Sequence, residues 1–91
     1  MEFDWDDGKA QVNLAKHGVS FQEAASVFDD PLSITFPDPG HSLEEDRSVI
    51  IGHSERGRLL FISHVDRENQ THLISARGAT RQEKRTYEEA L

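Results

Sequence analysis

The stretch Thr71-His72-Leu73-Ile74-Ser75-Ala76-Arg77-Gly78-Ala79-Thr80-Arg81-Gln82-Glu83-Lys84-Arg85-Thr86-Tyr87 changes its hydrophobic period part-way along. Thr71–Arg77 alternates like a half-buried strand. After the break at Gly78-Ala79, Thr80 and Glu83 stand at the spacing of a capping box, which satisfies the first helical N–H groups from both sides. Arg77 leaves the strand beside that helix start, where free N–H groups and the macrodipole favour negative charge. Arg81, Lys84 and Arg85 follow at i, i+3, i+4, so residues 71–87 hold four cations against Glu83 alone. The whole chain carries a net charge of −7. Against that background the segment points to a phosphate-bearing ligand.

Working outward, Arg47–Ser54 and Arg58–Val65 also alternate. The links Glu55-Arg56-Gly57 and Asp66–Gln70 are short enough for hairpins, so these strands and Thr71–Arg77 form an antiparallel meander. Upstream, Leu32, Ile34 and Phe36 alternate with Ser33 and Thr35 as a further strand before a loop, Pro37–Asp46, that contains His41. Val19–Phe28 reads as an amphipathic helix with a second capping box in Ser20 and Glu23 and an apolar stripe at Phe21, Ala24, Ala25 and Phe28; Asp29-Asp30-Pro31 ends it. Phe3-Asp4-Trp5 has room for a short first strand. Asp6 or Asp7 then caps a helix running to His17, with Gly18 where a left-handed C-cap is wanted. The order β-α-α-β-β-β-β-α is that of an α+β domain.

Ninety-one residues make one domain, 1–91, near the lower end of what buries a self-sufficient core. The absence of cysteine leaves neither a disulfide framework nor a thiolate metal site and suits a reducing, cytoplasmic setting. No apolar run reaches membrane-spanning length, and Met1-Glu2-Phe3-Asp4 lacks the regions of a signal peptide, so no membrane partner is expected. Charge is divided along the chain: residues 1–46 hold eleven acids against Lys9 and Lys16, a balance of −9, whereas residues 47–91 hold eight cations against six acids, a balance of +2. RNA binding would therefore have to use a local basic surface, and the acidic half is able to receive a basic protein partner.

In the simplest hairpin registers His53 lies opposite Leu59, and Leu59 opposite Arg77, so His53 and Arg77 share a face with one strand between them. An imidazole beside a guanidinium suits general acid–base help next to a stabilised phosphorane-like charge. The plainer reading is a surface histidine at a strand end. The same registers set His64 opposite His72, but two histidines without a third ligand make an incomplete metal site, and no metal or cofactor is expected. On the last helix Arg81, Lys84, Arg85 and Glu88 form one face and Glu83, Tyr87, Ala90 and Leu91 another. Its plainer reading is a solvated amphipathic helix with an i, i+4 contact between Lys84 and Glu88.

Trp5-Asp6-Asp7-Gly8-Lys9, Asn13, Lys16-His17-Gly18-Val19, Phe21 and Glu23-Ala24, then Val27-Phe28, Asp30-Pro31, Arg58-Leu59-Leu60, Ile74-Ser75-Ala76-Arg77, Ala79-Thr80-Arg81, Glu83 and Tyr87-Glu88 together resemble the BrnT toxins of type II toxin–antitoxin modules. The resemblance runs over nearly the whole chain. It implies a RelE-like fold with two N-terminal helices, an antiparallel sheet of about four strands and a C-terminal helix. It further implies an endoribonuclease that needs no metal, in which the ribose 2′-OH attacks the adjacent phosphate. The implied partners are the RNA substrate and a BrnA-like ribbon-helix-helix antitoxin, with operator DNA reached only through the antitoxin. By position, the matching basic residues are Lys9, Arg58, Arg77 and Arg81, with Trp5 and Tyr87 as core anchors. Together with His53 this gives Arg77, Arg58 and His53 as catalytic candidates and Arg81, Lys84, Arg85 and Lys9 as RNA-binding candidates. A second reading is an inactive relative that binds its antitoxin and modulates operator binding without cutting RNA.

Overall fold

Asp6 accepts a hydrogen bond from the Lys9 N–H at 2.9 Å and opens α1 (Asp7–His17); Gly18, at φ 70°, closes it by donating to the Leu14 carbonyl at 2.8 Å. That left-handed turn is one a side chain would resist. Ser20 accepts from the Glu23 N–H at 3.1 Å and opens α2 (Phe21–Ser26). The helix tightens into a 3-10 turn over Val27–Asp29 instead of continuing to Phe28 in α form. The capping box expected here is half made, because the Glu23 carboxylate turns inward to Ser54 and Arg58.

These coordinates are a computed structural model that describes residues 2–38, 40 and 46–91; His41, Glu44 and Glu45 lie outside the described residues. The strands are β1 (Glu2–Asp4), β2 (Ile34–Pro37), β3 (Arg47–His53), β4 (Leu59–Arg67) and β5 (Gln70–Gly78), in the sheet order β1-β5-β4-β3-β2. The sheet therefore has five strands, not about four, and it is mixed: β1 runs parallel to β5 while the other pairs are antiparallel. A three-residue strand carries too little alternation to be read with assurance. β1 is held in place by Phe3 packing edge-on against Phe28, 5.0 Å between ring centroids.

β3 and β4 pair as expected, with His53 opposite Leu59. The β4–β5 hairpin differs. It turns through Glu68-Asn69 with φ 49° at Glu68, pairing Arg67 with Gln70, and a bulge follows between Ser63 and His64. His64 thus lies opposite Leu73, and Val65 opposite His72, so the expected His64–His72 pair is absent. Beyond the bulge Phe61, not Leu59, lies opposite Arg77. A one-residue slip reverses the face and a two-residue slip restores it. Arg77 consequently keeps the face expected for it. The bulge also lets Leu73 and Ala76, three residues apart, both point into the core.

One sheet face packs under α1 and α2 through Val19, Phe21, Ala24, Val27, Ile50, Leu60, Ile62, Leu73 and Ala76. Trp5 joins at the margin, edge-on to Phe21 at 5.9 Å. The other face carries Val49, Ile51, Leu59 and Phe61 and is partly covered by α3 (Arg81–Glu89) through Tyr87. Asn13, the buried residue of α1, fastens that helix to the sheet: its Nδ2 donates to the Val19 and Ala76 carbonyls at 3.0 and 2.8 Å, and its Oδ1 accepts from the Ala76 N–H at 3.1 Å. Among the described residues no helix is long and apolar enough to cross a membrane.

Candidate functional site

His53 ends β3 on the α3 face, where its ring meets Tyr87 edge-on at 5.2 Å. The Tyr87 hydroxyl donates to Asp30 Oδ2 at 2.9 Å, and the His53 backbone N–H donates to the same oxygen at 2.8 Å. His53 Nδ1 lies 3.2 Å from the Tyr87 oxygen. With the tyrosine proton committed to Asp30, that oxygen accepts, so Nδ1 carries the imidazole hydrogen and the neutral ring keeps its lone pair on Nε2. Burial pushes the Asp30 carboxyl up, but the N–H groups of His53 and Leu32 and the Tyr87 hydroxyl outweigh it and hold the pKa below the ordinary value. Burial, then the bond to Asp30, raises that of Tyr87. Gly52 makes room for this contact: a Cβ there would stand 2.9 Å from Ser33 Cβ and 3.1 Å from Asp30 Oδ2.

Beside this chain opens a cleft of about 370 Å³, lined by His53, Gly57, Leu59, Lys84, Tyr87, Glu88 and Leu91. Lys84 is its cation. It makes no ion pair among the described residues, and the contact expected between Lys84 and Glu88 is absent. Arg81 and Arg85 are exposed on the same helix and likewise unpaired.

Arg77 shares the α3 face. Its guanidinium lies 4.1 Å from the Phe61 ring centroid and grips Glu83 with both ends, at 2.7 and 2.9 Å. Glu83 also completes the capping box, accepting from the Thr80 N–H at 2.9 Å while Thr80 Oγ1 accepts from the Glu83 N–H at 3.1 Å. The hydrogen bond to Glu83 raises the Arg77 pKa; burial raises that of Glu83, but Arg77 and Thr80 outweigh it and bring it below the ordinary value. The positive end of α3 is therefore already satisfied by a carboxylate.

Arg58 lies at the same end of the sheet as Arg77 but turns to the opposite face. Its Nε donates to Glu23 Oε2 at 2.9 Å, one Nη also reaches Glu23 Oε1, and that Nη donates to the Gly18 carbonyl at 3.0 Å. Glu23 is 3% exposed and takes a third bond from Ser54 Oγ at 2.7 Å. Arg58 is the main cause of a Glu23 pKa lowered to about 2, against the opposing effect of burial. Lys9 stands apart from the other candidates, lining a groove with Lys16 and His17. The structure thus joins His53 and Lys84 in one cleft, sets Arg77 on their face, and separates Arg58 and Lys9 from them.

His64 and His72, the expected metal pair, are each engaged singly. His64 packs edge-on against Phe28 at 5.0 Å with Nδ1 3.2 Å from Asp66, and His72 Nδ1 lies 2.7 Å from Asp4. Among the described residues no three metal-ligating side chains converge.

Residues 5–83 match the family model described as the ribonuclease toxin, BrnT, of type II toxin–antitoxin system. The chain belongs to the BrnT toxin family. Among solved structures, the Brucella abortus ribonuclease toxin BrnT resembles it with a TM-score of 0.70 and 25% sequence identity, over 89% of this chain and 99% of that one. No curated protein matches.

Within this BrnT-family chain, sequence reasoning missed Asp30, taken only as a helix stop, and read Glu23 and Tyr87 only as a capping residue and a core anchor. Tyr87 is such an anchor, 4% exposed, yet its hydroxyl joins Asp30 to His53. The available signal is Gly52, a glycine inside a strand, which marks the close approach of another segment.

Proposed function

We propose that this chain is a single-domain cytoplasmic toxin, residues 1–91, that cleaves RNA without a metal and is neutralised by a BrnA-like ribbon-helix-helix antitoxin. Operator DNA is reached only through that antitoxin. The observation that carries the catalytic reading is the hydrogen-bonded chain from Asp30 through Tyr87 to His53, a residue that lines an open cleft. His53 Nε2 takes the proton of the ribose 2′-OH. The O2′–P bond forms as the P–O5′ bond breaks, leaving a 2′,3′-cyclic phosphate and a 5′-oxygen that takes its proton from water in the cleft. Lys84 supplies positive charge to the phosphorane, assisted by the exposed part of Arg77, and Arg81 and Arg85 hold the flanking backbone.

Purified protein and its His53→Gln variant, compared on RNA with mapping of the cut ends, test this. Loss of an acid–base group lowers the rate by about a hundredfold or more. A variant that cuts at the original rate removes His53 from the mechanism. Cleavage is expected to persist in excess chelator; loss on chelation with recovery on adding one divalent ion would overturn metal independence.

One observation favours the second reading, an antitoxin-binding co-repressor that does not cut. Arg77 and Arg58, both candidates for phosphate, are held by Glu83 and Glu23. Growth inhibition without the partner gene separates the two.

A further inference from the structure

The acidic half of the chain has two lysines, and both line one groove. On α1, Lys9, Val12, Asn13, Lys16 and His17 form a single stripe at i, i+3, i+4, i+7, i+8, and this stripe faces Ile74 of β5 across a groove of about 570 Å³. Lys9, Lys16 and His17 are exposed, and among the described residues none of them is paired. Val12 is 65% exposed between the two lysines, and Asn13 ties the base of the stripe to Ala76. The groove therefore has an apolar floor, a fixed back wall and cations at both ends. Seven residues at 1.5 Å of rise set Lys9 and Lys16 about 10 Å apart along the helix axis.

We propose that this groove is the docking surface for an acidic segment of a protein partner, one with carboxylates about 10 Å apart flanking an apolar side chain that covers Val12 and Ile74. Two features favour a polypeptide over nucleic acid. Single-stranded RNA is held by stacking bases on aromatic platforms, and apart from the His17 imidazole this groove offers none. The Asp6 carboxylate at its rim repels a continuous phosphate chain but tolerates a peptide, whose N–H groups can donate to it. That the partner is the module's antitoxin rests on the proposed function; the groove's preference for an acidic peptide does not.

The test titrates the full chain with a blocked glutamate–leucine peptide and follows backbone amide shifts, with a lysine–leucine peptide and oligouridylate as comparisons. Shifts confined to Lys9, Val12, Lys16 and Ile74, seen with the glutamate peptide alone and fading with added salt, are expected. Lys16→Glu and Val12→Asp should each weaken binding about tenfold. The wild-type shift map stands even if a variant fails to fold. Shifts elsewhere, none at all, or oligouridylate displacing the peptide from these residues would overturn the proposal. A chain that fails to cut RNA leaves this measurement intact, so the two readings fail separately.

Discussion

Glu23 carries more of this structure than its place in the sequence suggests. A carboxylate almost wholly removed from water is tolerated because Arg58 and Ser54 occupy its oxygens, with Arg56 Nη1 at 3.6 Å as a weaker second cation. Replacing Arg58 by Ala leaves that buried charge without its main partner, and a lower unfolding midpoint is expected in a denaturant titration. Arg58→Lys should recover little, since an ammonium cannot hold both carboxylate oxygens and the Gly18 carbonyl at once. Reduced toxicity in an Arg58 variant would thus accompany a lower unfolding midpoint. A variant with unchanged stability and no toxicity would instead argue for direct contact with RNA. Tyr87→Phe asks a different question: the ring packing stays, the hydroxyl that joins Asp30 to the His53 imidazole goes, and the pH profile of cleavage should shift. An unchanged profile would reduce Tyr87 to an anchor.

At the level of elements, α3 is the least anchored. It buries Tyr87 alone, and Leu91 beyond its end is 69% exposed. What holds it are the Thr80–Glu83 capping box, the Arg77–Glu83 pair and the Tyr87–Asp30 bond. Thr80→Ala should cost about 1 kcal/mol. The loss should show as faster amide exchange across Arg81–Glu89, with β3, β4 and β5 little changed, because local opening draws on local contacts. Equal acceleration in the strands would mean that α3 and the sheet open as one unit. β5 shows the opposite case, since it is clasped by β4, by β1 and by the Asn13 amide. Asn13→Leu keeps the branching of the side chain but leaves the Ala76 N–H and carbonyl without the Asn13 amide, and about 2 kcal/mol or more should be lost from global stability.

For the molecule as a whole, three carboxylates join its layers. Glu23 ties α2 to β4, Asp30 ties the 3-10 turn to β3 and α3, and Glu83 ties α3 to β5. All three have folded pKa values below their ordinary ones, Glu23 at about 2. A group depressed on folding contributes stability that is fully present above its unfolded pKa and is lost as pH falls through the folded one. Stability should therefore hold down to about pH 4.5 and fall steadily towards pH 2. Glu23→Gln should flatten that decline while lowering stability at neutral pH. An acid transition of unchanged slope in the variant would show that other groups govern it.

Local chemistry was legible in the sequence wherever a residue acts on its neighbours. Asp6, Gly18, Ser20 and Thr80 end or begin helices as their spacing predicts, since a cap bonds within three or four residues and owes little to the rest of the fold. The alternation of β3, β4 and β5 likewise set the order of the meander and the face of Arg77. What the tertiary structure alone decided are the long-range partners. Glu23 could cap its own helix or pair with Arg58, thirty-five residues away, and burial settled it. The turn at Glu68-Asn69 set His64 opposite Leu73 and not His72, and the short first strand found its place parallel to β5, because register and sheet edges depend on which side chains must share the core. Asp30 reached His53 and Tyr87 only once Gly52 let two segments approach. No window along the chain contains all three, and the hydrogen bonds that join them form only in the folded molecule.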